Sequence, residues 1–184
     1  MGFFDKFKGK NKEKESKLNE QITAYKYMIE LLDVDADTAH KLNRCINTPH
    51  AFYEEHAERY DERGIFSDMD NDTIIWLGIV DTLIEQGKMF EFDYSVELED
   101  FIYGMQEINY NHLALDEDGL DEDSDITKWL KIISHEWLKS GYIIAGMDID
   151  SDSYCVFITT SNAFDKLVME AEKTGHKIAL AQDM

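Results

Sequence analysis

"YIIAGMDIDSDSYCVFITT" runs from Tyr142 to Thr160, and its reading decides the fold. Two apolar runs flank a cluster of aspartate and serine. Aspartate and serine side chains bond nearby backbone amides, so they favour tight turns. The stretch predicts an antiparallel hairpin with strands over 142–149 and 154–160 and a turn over Asp150–Ser153. Pairing Ile149 with Tyr154 sets the register. Ile143, Ala145, Met147 and Ile149 then share a helix-covered face with Tyr154, Val156 and Ile158. Tyr142, Ile144, Gly146 and Asp148 share the opposite face with Cys155, Phe157 and Thr159, because alternate strand residues point to opposite sides.

Before the hairpin, "KMFEFDY" (Lys88–Tyr94) also alternates. Phe90, Phe92 and Tyr94 fall on one face, and Met89, Glu91 and Asp93 on the other. "SVELEDFIYGMQEI" predicts a helix capped by Ser95, and "DSDITKWLKIISHEWLKSG" a second one. Between them, 110–125 reads as an acidic loop with a short strand at His112–Leu115. After the hairpin comes a helix from Ser161 to Thr174, ended by Gly175, and a last strand in "HKIALA". The order strand, helix, strand, strand, helix, strand is the split βαβ pattern of a ferredoxin-like layer. It predicts an α+β fold with an antiparallel sheet whose helices pack on one face. The first and third strands are neighbours in that order. Glu91 and Asp93 are then expected beside Cys155 and Phe157, and with Asp148 and Tyr142 they form the candidate binding face.

Upstream, the period is helical. Four helices are expected between residues 18 and 87, with Pro49 in the first turn of the third and Gly64 ending it. The fourth covers "NDTIIWLGIVDTLIEQG" and is expected to be capped near Asp72. These helices would lie beside the sheet or over its other face. The chain therefore divides into a basic tail over 1–17, expected to be disordered, and one α+β domain over 18–184. That domain is mainly helical over 18–87 and carries the sheet over 88–184. Trp76, Trp129 and Trp137 recur beside leucines at helical spacing and read as core anchors.

The chain carries 18 basic and 39 acidic residues, a net charge of -21. Residues 18–184 alone hold 12 basic and 36 acidic side chains. A field of that sign repels phosphate backbones and attracts basic proteins. No apolar run approaches the length of a membrane span. Cys45 and Cys155 stand far apart without a motif, which fits a reduced cytoplasmic setting.

Four D-x-D-x-D triplets start at Asp33, Asp68, Asp121 and Asp148. An EF-hand loop needs glycine at its sixth position and an acid at its twelfth, and none of the four has either. Three precede expected helices, where carboxylates cap free amides; the fourth enters the hairpin turn. His50, Glu54 and Glu58 are spaced as a helical stripe, a pattern shared by metal ligands and solvated faces. "HEW" at His135 lacks the second histidine of a zinc-protease helix, and no P-loop, G-x-S-x-G or G-x-G-x-x-G occurs.

Asp93, Tyr94, Glu99 and Asp100, with Asp148, Asp150, Asp152 and Tyr154, resemble an uncharacterised, mainly bacterial family of domains of unknown function. That family carries a D-x-D-S-D-x-Y hairpin followed by an apolar strand and a helix. The resemblance covers about 90–178 and implies a fold but no activity. The sequence thus favours a non-enzymatic protein-interaction module, such as an inhibitor or immunity-type protein for a basic partner. A carboxylate-based metal-dependent hydrolase or transferase, and a small-molecule binding module, are the alternatives. No cofactor or metal is assigned.

Overall fold

The computed structural model describes the backbone from residue 3 to 184 and side chains from residue 14. Five helices come first: α1 (Phe3–Leu31), α2 (Ala36–Asn47), α3 (Pro49–Glu55), α4 (Ala57–Glu62) and α5 (Asn71–Glu85). The chain continues through β1 (Met89–Asp93), α6 (Leu98–Glu107), α7 (Ile126–Leu138), β2 (Tyr142–Met147), β3 (Ser153–Thr160), α8 (Ser161–Thr174) and β4 (Ile178–Leu180). The segment 1–17, expected to be disordered, is helical in backbone from Phe3. It is rich in lysine and glutamate, which are good helix formers. Residues 1–2 and the side chains of 3–13 lie outside the described residues.

Three of the aspartate triplets cap helices. Asp35, Asp70 and Asp125 accept the N–H of Thr38, Thr73 and Lys128 at 2.8, 2.9 and 3.1 Å. The cap of α5, expected near Asp72, is Asp70. Thr160, not Ser161, caps α8. Ser95 caps nothing, because its N–H and hydroxyl both bind the Asp93 carboxylate, and α6 starts later, at Leu98. The strand expected at 112–115 is a loop: the Asn109 side chain brackets Leu113 through both its N–H and its carbonyl.

The strands form one antiparallel sheet in the order β1-β3-β2-β4. β1 and β3 are neighbours, as expected. Phe90 and Phe92 pair with Val156 and Tyr154, while Glu91 pairs with Cys155. The hairpin register, however, is one residue away from the expected one. Met147 pairs with Cys155 and Ala145 with Phe157. A loop with an odd number of residues separates the strands, and Asp150 takes a left-handed conformation (φ 55°) in it. Aspartate is one of the few non-glycine residues that tolerate this, because its short polar side chain bonds locally. The slip moves Ile143, Ala145 and Met147 onto the face of Cys155 and Phe157.

β4 lies on the outer edge of β2, whereas in a ferredoxin order it would flank β1. This one change explains the layering. β1 to β2 through α6 and α7, and β3 to β4 through α8, each join parallel strands in the same direction along the sheet, and the two pairs run in opposite senses. Crossovers keep a right hand, so their helices must fall on opposite faces. α6 and α7 pack with Phe92, Ile144, Val156 and Ile158. α8 joins the N-terminal helices over Met89, Ala145, Met147, Cys155 and Phe157. Helices therefore cover both faces of the sheet: the N-terminal helices lie over the face opposite α6 and α7, one of the two expected placements, and α8 joins them instead of sharing the face of α6 and α7.

Trp76, Trp129 and Trp137 are buried in these two cores, as the leucine spacing indicates. Each indole N–H donates to a backbone carbonyl, of Asp148, Asp121 and Ala114 respectively. That pairing satisfies the one polar group a buried tryptophan carries.

Candidate functional site

The six residues of the expected binding face do not form one open surface. Glu91 and Cys155 are cross-strand partners with Phe157 next along β3, so this part of the grouping holds. The face is a core, however: Phe157 is 3% exposed and packs under the N-terminal helices. It cannot serve as an exposed anchor. Cys155 is fully buried, and that burial pushes its thiol pKa up. Tyr142 lies at the far end of β2 and packs against the α6/α7 core. Asp93 is exposed at the end of β1, with its pKa lowered by the hydroxyl and N–H of Ser95.

Asp148 is set apart at the hairpin. Its Oδ1 accepts the Asp150 N–H at 2.9 Å, and Ser151 Oγ accepts the Ser153 N–H at 3.1 Å. The Asp148 carbonyl accepts the Trp76 indole at 2.6 Å, which ties the loop to α5. Beside the loop, Tyr94, Asp148, Asp152, Tyr154 and Met184 enclose a cavity of about 490 Å³. Tyr94 is 63% exposed. An aromatic face next to carboxylates is the chemistry that holds an ammonium or guanidinium group.

Glu91 is committed elsewhere. Arg63 Nη2 lies 2.6 Å from both Glu91 Oε2 and Asp81 Oδ1, and Arg63 Nε donates to Asp81 Oδ1 at 2.8 Å. Burial works against the Arg63 charge, but the bonds to Glu91 and Asp81 outweigh it and raise its pKa above the usual arginine value. Arg59 donates to the Asp81 carbonyl at 2.8 Å and pairs with Glu85, which also binds Lys41. Asp81 is only 3% exposed, and its Oδ2 sits 3.2 Å from Arg59 Nε without a well-aligned bond. The chain thus clamps α2, α4, α5 and β1 together with charge. Sequence reasoning missed this clamp.

A second unforeseen cluster joins α1, α5 and the α8–β4 turn. Tyr25 donates to Asp72 Oδ1 at 2.7 Å, and His176 Nε2 lies 3.0 Å from Asp72 Oδ2. The His176 ring stacks on Trp76 with centroids 4.3 Å apart. Burial, then the bond to Asp72, pushes the Tyr25 phenol up. The His50, Glu54, Glu58 stripe is broken at His56, where α3 ends and α4 begins. Among the described residues, no group of three or more His, Cys, Asp or Glu side chains converges to hold a metal ion. No helix described is long and apolar enough to cross a membrane.

The architecture is that of an α+β domain with a four-stranded antiparallel sheet between two helical layers and an acidic hairpin at one end. A sequence profile described as "Domain of unknown function (DUF6630)" matches residues 24–181, and the chain belongs to that family. The match begins inside α1, so the N-terminal helices are part of the family's domain along with the strand-helix and hairpin units. No curated protein and no solved structure matches the chain.

Proposed function

We propose that this protein is a non-enzymatic interaction module for a basic protein, of the inhibitor or immunity type, and that its contact point is the hairpin cavity. The observation that carries this reading is the pairing of Tyr94 and Tyr154 with Asp148 and Asp152 around one open cavity. Exposed carboxylates draw a cationic side chain in, and the tyrosine faces give it a surface to lie on. The rest of the molecule supplies the field. Lys41, Arg44, Arg59, Arg63, Lys128, Lys139 and Lys173 are tied into ion pairs with acids of the same chain. Residues 18–184 carry 12 basic side chains against 36 acidic ones, so an acidic excess remains even where every cation is paired. The two buried free thiols suit action in the reducing cytoplasm.

Calorimetry with a hexa-arginine peptide tests the site. Asp148→Asn with Asp152→Asn and Tyr94→Ala should weaken binding at least fivefold. Glu54→Gln with Glu58→Gln removes the same charge from exposed positions on α3 and α4 outside the hairpin cavity and should weaken it less than twofold. Equal losses in both variants would mean that bulk charge alone binds the peptide, and the hairpin reading would fall.

A further inference from the structure

β1 is an edge strand. Its only strand neighbour is β3, so the N–H and C=O groups of every second residue from Met89 to Asp93 point away from the sheet. Phe90 and Glu91 show that this edge is open. They are consecutive, so their side chains leave opposite faces of the strand. Phe90 packs with the α6/α7 core, and Glu91 binds Arg63 on the side of α5. Both nevertheless line one cavity of about 300 Å³, together with Glu62, Arg63 and Ile84. A cavity walled by both faces of a strand crosses its edge. Aromatic surface borders it. Tyr103 is 57% exposed beside Phe90, with ring centroids 6.4 Å apart, and Tyr94 follows β1 directly. At that end Asp93 pairs with Ser153, and Tyr94 and Ser153 both line the hairpin cavity. The free edge of β1 therefore runs into the hairpin cavity.

An open edge is a template for another strand, and charge decides which strand it admits. Glu91 and Asp93 lie on β1, and Glu62 is exposed at the cavity. The nearby cations are committed: Arg63 to Asp81 and Glu91, Arg59 to Asp81 and Glu85. A second copy of this chain would set the same acids against each other, and like charges across strands are destabilising. A basic strand meets opposite charge. We propose that the basic partner contributes an extended segment that adds to β1 as a fifth strand, its main chain bonded to the free edge and a cation at its end in the hairpin cavity. Main-chain bonds supply affinity in such strand addition, and alternate side chains supply selectivity. The partner's charge rests on the hairpin reading; the edge adds where and in what conformation the partner lies.

The probe is the alternating peptide acetyl-Arg-Thr-Val-Thr-Val-Thr-Arg-amide, titrated into the full chain by calorimetry and by NMR amide exchange. It should bind saturably. At saturation it should slow exchange of every second amide from Met89 to Asp93 at least tenfold and leave the amides of β4 unchanged. The same peptide N-methylated at its five inner residues keeps both charges and every side chain but has no inner N–H to donate, and it should bind at least tenfold more weakly. Asp148→Asn with Asp152→Asn and Tyr94→Ala should weaken the parent peptide, yet leave the β1 amides protected once the variant is saturated. Protection of β1 with no loss of affinity in that variant would overturn the hairpin reading alone and keep the added strand. Loss of affinity in the variant without protection of β1 in the wild type would do the reverse. Equal binding of the two peptides, or no saturable binding at millimolar peptide, would overturn the added strand. So would protection of the β1 amides that grows with protein concentration in the absence of peptide, which would assign the edge to a second copy of the chain.

Discussion

Gly78 sits in the middle of α5, where alanine is ordinarily the better residue by about 1 kcal/mol. Here the sign reverses. A Cβ at this position would come within 2.6 Å of Cys45 Sγ and of Tyr60 Oη. Tyr60 cannot swing aside cheaply, because its buried hydroxyl donates to the Ile74 carbonyl at 2.8 Å. Gly78→Ala should therefore destabilise the protein by about 1–3 kcal/mol, the usual cost of overpacking; a urea midpoint at or above wild type would contradict this. The neighbouring thiol offers a second check. Burial pushes Cys45 up to about 12 and raises Cys155 as well, and both are fully buried. The thiolate is the reactive form, so neither should react with a disulfide reagent at pH 8 until the protein unfolds. Rapid modification of either in the native state would show that the core opens. The capping carboxylates make a pH prediction. The Thr127 hydroxyl, then the side chain and backbone N–H of Lys128, hold Asp125 down to about 2, against about 3.9 when unfolded. A depressed folded pKa means its contribution is present above the unfolded value and is lost as pH falls through about 2. Carboxyl carbon NMR should find its midpoint near 2; a midpoint near 4 would show that the cap is not formed in solution.

The elements differ in how much of their arrangement the sequence discloses. β1 alternates cleanly between Phe90 and Phe92 on one side and Glu91 and Asp93 on the other, so its faces and its pairing with β3 were legible. β2 reads "YIIAGM", with no polar residue to mark a face. A strand buried on both sides loses its alternation, and the register then depends on whether the loop has an odd or even residue count. Nothing in "DSDS" states that Asp150 adopts a left-handed conformation. The candidate site failed for a different reason: the face of Cys155 and Phe157 was expected to be partly open, and the N-terminal helices and α8 cover it. The clamp was illegible for another reason. With 39 acids in the chain, nothing local singles out Asp81 and Glu91 as partners of Arg63. Its energetic weight is nonetheless testable. Arg63→Met removes the cation between two carboxylates, one of them nearly fully buried. Breaking a buried pair from one side costs about 3–5 kcal/mol, because the remaining charge is stranded. The triple change Arg63→Met, Asp81→Asn, Glu91→Gln should recover part of that loss. A single-variant cost below about 1 kcal/mol would place the clamp among exposed pairs of little consequence.

For the whole molecule, excess charge has two consequences of opposite sign under added salt. The body carries 36 acids against 12 bases, and like charges at this density oppose compaction. Screening shortens their reach from about 30 Å at 0.01 M salt to about 3 Å at 1 M. Salt also weakens the exposed ion pairs, but such pairs contribute only about 0–1 kcal/mol each. The repulsion is summed over the entire surface, so its relief should win. The thermal midpoint should rise by several degrees between 0.02 and 0.5 M sodium chloride; for a chain of this size about 1 kcal/mol corresponds to about 2–4 °C. The same screening removes the attraction that speeds encounter with a basic partner. The association rate with a hexa-arginine peptide should therefore fall over the salt range in which the midpoint climbs. A neutral salt that leaves the midpoint unchanged while slowing association would confine the effective charge to the binding surface. One that lowers the midpoint would mean that ion pairs such as Arg44–Glu55 and Lys139–Glu136 outweigh the net repulsion.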